Sequence, residues 1–231
     1  MTSTITLISA QFEDDLSARS DESGVPASAL GHVAGSEAHW AASGLPSRKR
    51  NVRSWLTFWA DENAAHQFVE KRNDHIPLLA DATDVLTAVL QPFAAHGDVN
   101  WFDGSAAALN FQLAQRPDKT APVFIITSAG FGGFGSGAIA FGQGTHTVRE
   151  AVQGQDGVRY EAQILADDPK IDGVTLSLWD NQMAVMDFAY KRDPHKSVMA
   201  VMDHEDVVRG SFTRCLVKSF DGIWQGKRVN I

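Results

Sequence analysis

Leu56–His75 reads LTFWADENAAHQFVEKRNDH, and Leu176–His195, 120 residues further on, reads LSLWDNQMAVMDFAYKRDPH. Aligned without a gap, these stretches share Leu56/Leu176, Trp59/Trp179, Ala64/Ala184, Phe68/Phe188, Lys71/Lys191, Arg72/Arg192 and His75/His195. Average composition would give about one or two such identities. At nearly the same spacing Ser9, Ala10 and Phe12 return as Ser128, Ala129 and Phe131, and Trp101 returns as Trp224. The chain therefore reads as an internal duplication. Only the second copy sets a proline, Pro194, before its histidine. In two fused copies of one fold, one site can be kept and its twin discarded.

The second copy has the clearer periodicity. Pro122–Ala129 is a short apolar, β-branched run and predicts a strand. Thr145–Val152 has helical character, Arg159–Ala166 alternates as a strand, and Gly173–Trp179 is a further apolar strand. Asn181–Lys191 follows helical spacing, with Asp180 or Asn181 placed to cap it. Pro194 breaks that helix and opens another, where its missing N–H costs nothing. Ser211–Phe220 closes the copy as a strand. The order β-α-β-β-α-β is the ferredoxin-like unit. The first copy yields the same order more faintly: strand Ile5–Ala10, a helix near Ser36–Ala42, strand Val52–Trp59, helix Asn63–Lys71 continuing past His75, and strand Val85–Phe93. Exposed edges and apolar faces of two such units cover one another when they pair. The expected fold is α+β: two tandem ferredoxin-like repeats, 1–105 and 121–231, joined through 106–120 and packed as a pseudo-dimeric α+β barrel. Glu13–Gly31, rich in Asp, Ser and Gly, predicts the longest loop.

Composition excludes several functions. The 231 residues carry a formal net charge of −8, and Ser47–Arg50 is the only basic cluster, so a nucleic-acid partner is not expected. No stretch approaches the ~20 apolar residues of a membrane span. Met1–Phe12 runs straight into Glu13-Asp14-Asp15 and reads as a first strand, not as a signal peptide. The single Cys215 cannot form an internal disulfide, and a cytoplasmic, reducing setting is expected.

His195 follows the helix break. Helical spacing brings Met199 and Met202 near its face, with Phe188 on the preceding helix close by. Met183 and Met186 fall in the same stretch. An imidazole among polarizable apolar side chains suits an axial ligand to haem iron, with flat apolar walls for the macrocycle; the same pattern also suits a hydrogen-bonded core histidine. His75, flanked by Asn73 and Asp74, reads as a surface or structural residue. Gly130–Gly135 matches G-x-G-x-x-G after a strand, but Gly137, Gly142 and Gly144 continue the glycine run, so no helix is expected to open there and a dinucleotide site is disfavoured. The alternatives for that run are a plain connection or a loop whose Phe131 and Phe134 wall a pocket. Cys215 lies within a strand and reads as a buried thiol. Lys191 and Arg192, repeated as Lys71 and Arg72, read either as propionate partners or as a solvated helix end.

Thr175–Trp179, Met186, Phe188-Ala189-Tyr190, Pro194-His195 and Gly222–Gly226, with the opening strand Pro122–Thr127, together resemble the C-terminal half of the spheroidene monooxygenase family. The resemblance spans Pro122–Gly226 and extends more weakly over Arg53–Gly104. It implies a haem b oxygenase acting on an apolar small molecule with O2 or peroxide and an electron donor. It also implies an architecture similar to that of chlorite dismutases and aldoxime dehydratases, in which a histidine of the C-terminal copy holds the iron; Pro194-His195 is the matching position. Beyond the histidine the chain departs from the family: Val207-Val208 and Arg209–Arg214 stand where a Trp-Phe pair and an acidic-aromatic stretch are usual. The resemblance therefore bears on the haem more than on a carotenoid. A haem-dependent lyase, or a haem-binding protein without catalysis, remains an alternative, and a homo-oligomer is left open.

Overall fold

Residues at successive positions of β1 (Thr4–Gln11) are apolar on both faces: Ile5 and Leu7 point one way, Ile8 and Ala10 the other, and all four are buried. That pattern belongs to a strand covered on both sides, and it sets the plan of the molecule. The computed structural model describes residues 2–16, 24–97, 112–131, 135–167, 173–191 and 207–231. After β1 come β2 (Gly31–Trp40), β3 (Pro46–Trp59), α1 (Glu62–Glu70), α2 (Arg72–His75), a 3-10 turn at Pro77–Asp81 and β4 (Asp84–Gly97). The second half holds β5 (Val123–Phe131), α3 (Ser136–Gln153), β6 (Val158–Ala166), β7 (Gly173–Trp179), α4 (Gln182–Lys191), β8 (Val207–Trp224) and β9 (Lys227–Asn230).

The strands form one sheet in the order β4-β1-β3-β2-β6-β7-β5-β8-β9, and β4 pairs with β8 to close the first eight into a barrel. Every pairing is antiparallel. Each half contributes four strands in matching order, β4-β1-β3-β2 and β8-β5-β7-β6. Closure leaves no free edge within the barrel. The two seams differ. β4 and β8 pair from Leu86↔Gly222 to Gly97↔Ser211, whereas β2 and β6 pair only over Gly35↔Ala166, Ser36↔Leu165 and Glu37↔Ile164. Arginines of β3 reinforce the short seam. Arg48 Nη1 and Nη2 donate to the carbonyls of Leu165 and Ala166, both at 2.9 Å, and Arg53 Nη2 lies 2.6 Å from Asp167 Oδ2.

Three apolar clusters result. The barrel interior is filled by Leu7, Leu56, Phe124, Tyr160, Leu176, Phe220, Trp224 and their neighbours. The outer face of the first half is sealed by Ile8, Trp55, Trp59 and Val89 under Phe68 of α1. The outer face of the second half is sealed at one end by Val123, Ile125, Trp179, Val185 and Phe188.

Most strands and the helices expected near residues 63–71 and 181–191 lie where periodicity places them, and Asn181 Oδ1 accepts from the Ala184 N–H as a cap, at 2.9 Å; the helix expected to continue past His75 instead ends there and gives way to the 3-10 turn at Pro77–Asp81. Two further expectations are corrected. The helix expected near Ser36–Ala42 is strand β2: alanines and Glu37 favour a helix locally, and pairing with β3 and β6 overrides that preference. The helix expected from Thr145 starts at Ser136 and takes in Gly137, Gly142 and Gly144. A helical glycine costs about 1 kcal/mol relative to alanine, but here it admits close packing. A Cβ on Gly142 would stand 2.2 Å from the Gly44 carbonyl oxygen and 2.6 Å from the Trp40 ring. α3 therefore lies directly on the β2–β3 hairpin. The dinucleotide site fails on different ground: β5 and β6 are separated in the sheet by β7, so there is no adjacent parallel pair.

Candidate functional site

The outer faces of the two halves are built on corresponding strand positions and end differently. In the first half Ile8 stands opposite Trp55 on β3 and Thr87 on β4, and Val89 stands opposite Thr6. Ile8, Trp55 and Val89 are each 0% exposed. In the second half, 119 residues on from Ile8, Thr127 stands opposite Thr175 on β7 and Phe212 on β8, and Arg214 stands opposite Ile125. Thr127, Thr175, Phe212 and Arg214 are all half-buried. Where the first half has a sealed Ile–Trp–Val centre, the second has two threonines and a guanidinium. Replacing an indole by a threonine removes most of the filling atoms while leaving the sheet backbone in place.

The rim of this patch is apolar. At one end Phe188 packs on Trp179, ring centroids 5.3 Å apart, just as Phe68 packs on Trp59 at 5.0 Å in the first half. Val148, Ala151 and Val152 of α3 join that cluster. At the other end Trp40 crosses from the first half, and a Cβ on Gly173 would come within 3.1 Å of its ring.

Arg214 is the unusual member. Its Nε is buried and has no hydrogen-bond partner, and its guanidinium carbon lies 6.0 Å from the Phe212 ring centroid. Two other arginines of the second half are committed: Arg149 Nη2 is 3.1 Å from Glu161 Oε1, and Arg159 pairs with Asp180. A charged donor kept at a position where the first half holds a buried valine needs an acceptor. The sequence alignment carried the signal, since Trp55/Thr175 is the column just before the aligned stretch.

Of the residues singled out from sequence, Phe188 is 4% exposed and belongs to the rim. His195, Met199, Met202 and Pro194 lie outside the described residues, as do Phe134 and Arg192. Met183 and Met186 are exposed on α4. His75 is half-buried and stacks on Phe68, centroids 5.2 Å apart; its backbone carbonyl accepts from the Gly24 N–H at 2.8 Å, a structural role. Arg72 Nη1 donates to the Val69 carbonyl at 3.0 Å, closing the end of α1. Cys215 is buried inside the barrel, and burial pushes its thiol pKa far up. Among the described residues no group of three or more His, Cys, Asp or Glu is arranged to hold a metal ion, and no helix is long and apolar enough to cross a membrane. A separate polar groove of about 600 Å³ opens at the start of α1, beside Asp61, Glu62, Gln67 and Gln91. Its Glu62 is already engaged, accepting from Gln91 Nε2 at 2.9 Å and lying 3.4 Å from Lys218 Nζ.

No family model matches the chain, and no curated protein matches it. Solved structures do. An aldoxime dehydratase aligns at 9% identity over 94% of this chain and 81% of its own, with a TM-score of 0.56. An aldoxime dehydratase co-crystallised with butyraldoxime aligns at 8% identity over 94% of this chain and 79% of its own, with a TM-score of 0.54. A monooxygenase candidate from Lactobacillus acidophilus NCFM aligns at 9% identity over 100% of both chains, with a TM-score of 0.41. The likeness to the dehydratases is one of fold: an antiparallel α+β barrel.

Proposed function

We propose that the protein is a haem-dependent oxidoreductase of the monooxygenase kind, acting on an apolar small molecule at the outer face of its second half. The observation that carries the reading is the replacement of Ile8, Trp55 and Val89 by Thr127, Thr175 and Arg214 at corresponding positions. A flat sheet floor with small side chains, an aromatic ring and one unpartnered cation fits a planar apolar group with an acidic edge. Haem b has that shape and charge. The matching strand orders of the halves support two tandem ferredoxin-like repeats, 1–105 and 121–231 about a 106–120 connection, in which the first has lost its site.

In this reading His195 would hold the iron through one imidazole nitrogen, Met199, Met202 and Phe188 would wall the macrocycle, and Arg214 would face its acidic edge. The haem, when bound, supplies the oxygen chemistry, using O2 or peroxide and an outside electron donor. The chain does the rest. Phe188 and Trp179 exclude water from one end of the face, and Trp40 from the other. The Thr127 and Thr175 hydroxyls give the floor polar points that orient a substrate. The resemblance to spheroidene monooxygenases supports the oxygenase and a cytoplasmic setting; the absence of the family's acidic-aromatic stretch favours a substrate other than a carotenoid.

A second reading, a lyase acting on a nitrogen-bearing substrate, draws on the fold shared with aldoxime dehydratase. Turnover of butyraldoxime with no electron supply would favour it; a strict need for O2 and reductant favours the oxygenase.

The test is a haemin titration followed by absorption. His195→Ala is expected to abolish the Soret band of the bound form, and His75→Ala to leave it. Equal loss from both variants, or a wild-type protein that takes up no haemin, would overturn the reading.

A further inference from the structure

We infer that Arg214 is the carboxylate-holding residue of the second outer face, so that the ligand of this face presents one acid group against an apolar or aromatic body. The inference rests on the site proposed above and names the chemistry that the site recognises, whether the acid belongs to a porphyrin or to a substrate.

Arg214 stands in the middle of β8, not at a strand end where a long side chain escapes to water. Its pairing partner on β5 is Ile125, and on β4 it is Ala94. The next residue along the same face is Phe212, over whose ring the guanidinium lies. None of these neighbours accepts a hydrogen bond through its side chain. The corresponding residue of the first half, Val89, shows that the position packs well when apolar. Burying the Nε of a guanidinium at such a place without an acceptor is unfavourable. The fork of a guanidinium matches the two oxygens of a carboxylate. A doubly charged phosphate gathers more than one cation, and Arg149 and Arg159 already have acidic partners. The Phe212 ring beside the fork offers an apolar surface on which the body of the ligand can lie.

Metal-free protoporphyrin IX and its dimethyl ester test this without requiring an iron ligand. Both are titrated by fluorescence into wild-type protein, Arg214→Met, Arg214→Lys and His195→Ala, with thermal melts as the control for folding. Val89 is the reason to expect that Arg214→Met folds. The acid should bind wild-type protein at least tenfold more tightly than the ester. Arg214→Met should lose that preference by weakening the acid and sparing the ester, Arg214→Lys should recover part of it, and His195→Ala should keep it. Loss of haemin ligation with the acid preference intact would sink the iron assignment and leave Arg214 in place. Equal binding of acid and ester by wild-type protein, or an equal loss of both in Arg214→Met, overturns the inference whatever haemin does. If neither porphyrin binds, dodecanoate and its methyl ester are compared by calorimetry. The same dependence on Arg214 would place the acid on the substrate, and no dependence would overturn the proposal.

Discussion

Trp55 and Thr175 occupy corresponding strand positions and produce opposite surfaces. The indole of Trp55 is wholly buried among Ile8, Trp59 and Val89, so removing it leaves a cavity that the two-sided sheet cannot collapse to fill. Trp55→Ala is expected to cost about 3–5 kcal/mol in urea denaturation. Thr175→Ala, at a half-buried position, should cost less than about 1 kcal/mol. The informative reversal is Thr175→Trp. If the face is open because this side chain is small, the indole should fill it, leaving the far-UV spectrum and melting temperature near wild type while haemin uptake is lost. Retained uptake in a folded Thr175→Trp protein would place the ligand elsewhere. Phe188 belongs to a contact made in both halves, Phe188 on Trp179 and Phe68 on Trp59, so its burial reflects anchoring of α4 as much as any ligand wall.

At the scale of elements, α3 is the piece whose placement depends most on partners. Its glycines weaken it as an isolated helix, yet its surface at Gly142 meets the Gly44 turn and Trp40 more closely than any side chain would allow. Gly142→Val should therefore destabilise the fold even though valine is the better helix former. Overpacking of this kind costs about 1–3 kcal/mol, and the loss should appear as a lower urea midpoint. It should also disturb the end of the second outer face that Trp40 covers, so haemin affinity is expected to fall with it. A Gly142→Val protein as stable as wild type would mean that α3 does not rest on the hairpin.

For the whole molecule, closure of the barrel buries the ionisable groups of Cys215 and Tyr160. Cys215 is raised from an ordinary value of 9.0 by burial. Tyr160 is raised from 10.0, first by burial, with Glu37 and Glu161 adding to it and the contact with Ser9 opposing it. Both stay protonated in the folded barrel after the unfolded chain has ionised. The unfolded state then holds fewer protons, so stability is full below about pH 9 and falls as pH rises towards the folded values. Each group contributes about 1.4 kcal/mol of loss per pH unit. Denaturation between pH 8 and 10.5 should show this decline, and Cys215→Ala should flatten its early part. The native thiol should resist iodoacetamide until the barrel opens; rapid alkylation of folded protein would contradict the closed interior.

What the sequence by itself determined is local or repeated: the gapless alignment of Leu56–His75 with Leu176–His195, the runs that alternate or carry apolar residues on both faces as strands, the capped amphipathic helices, and the buried character of Cys215. Those features are written in side-chain periods of two and 3.6 residues, which need no knowledge of partners. Tertiary structure alone decided β2, whose Ser36–Trp40 segment becomes a strand only between β3 and β6, and the full length of α3, whose glycines become an asset only against Trp40 and Gly44. It also decided that Thr127, Thr175, Phe212 and Arg214, drawn from three strands up to 87 residues apart in the chain, form one patch. Antiparallel pairing creates that neighbourhood, and what distinguishes it from the first outer face is volume and charge: a buried isoleucine, indole and valine stand there, where the second face has two half-buried threonines and a guanidinium whose Nε lacks an acceptor.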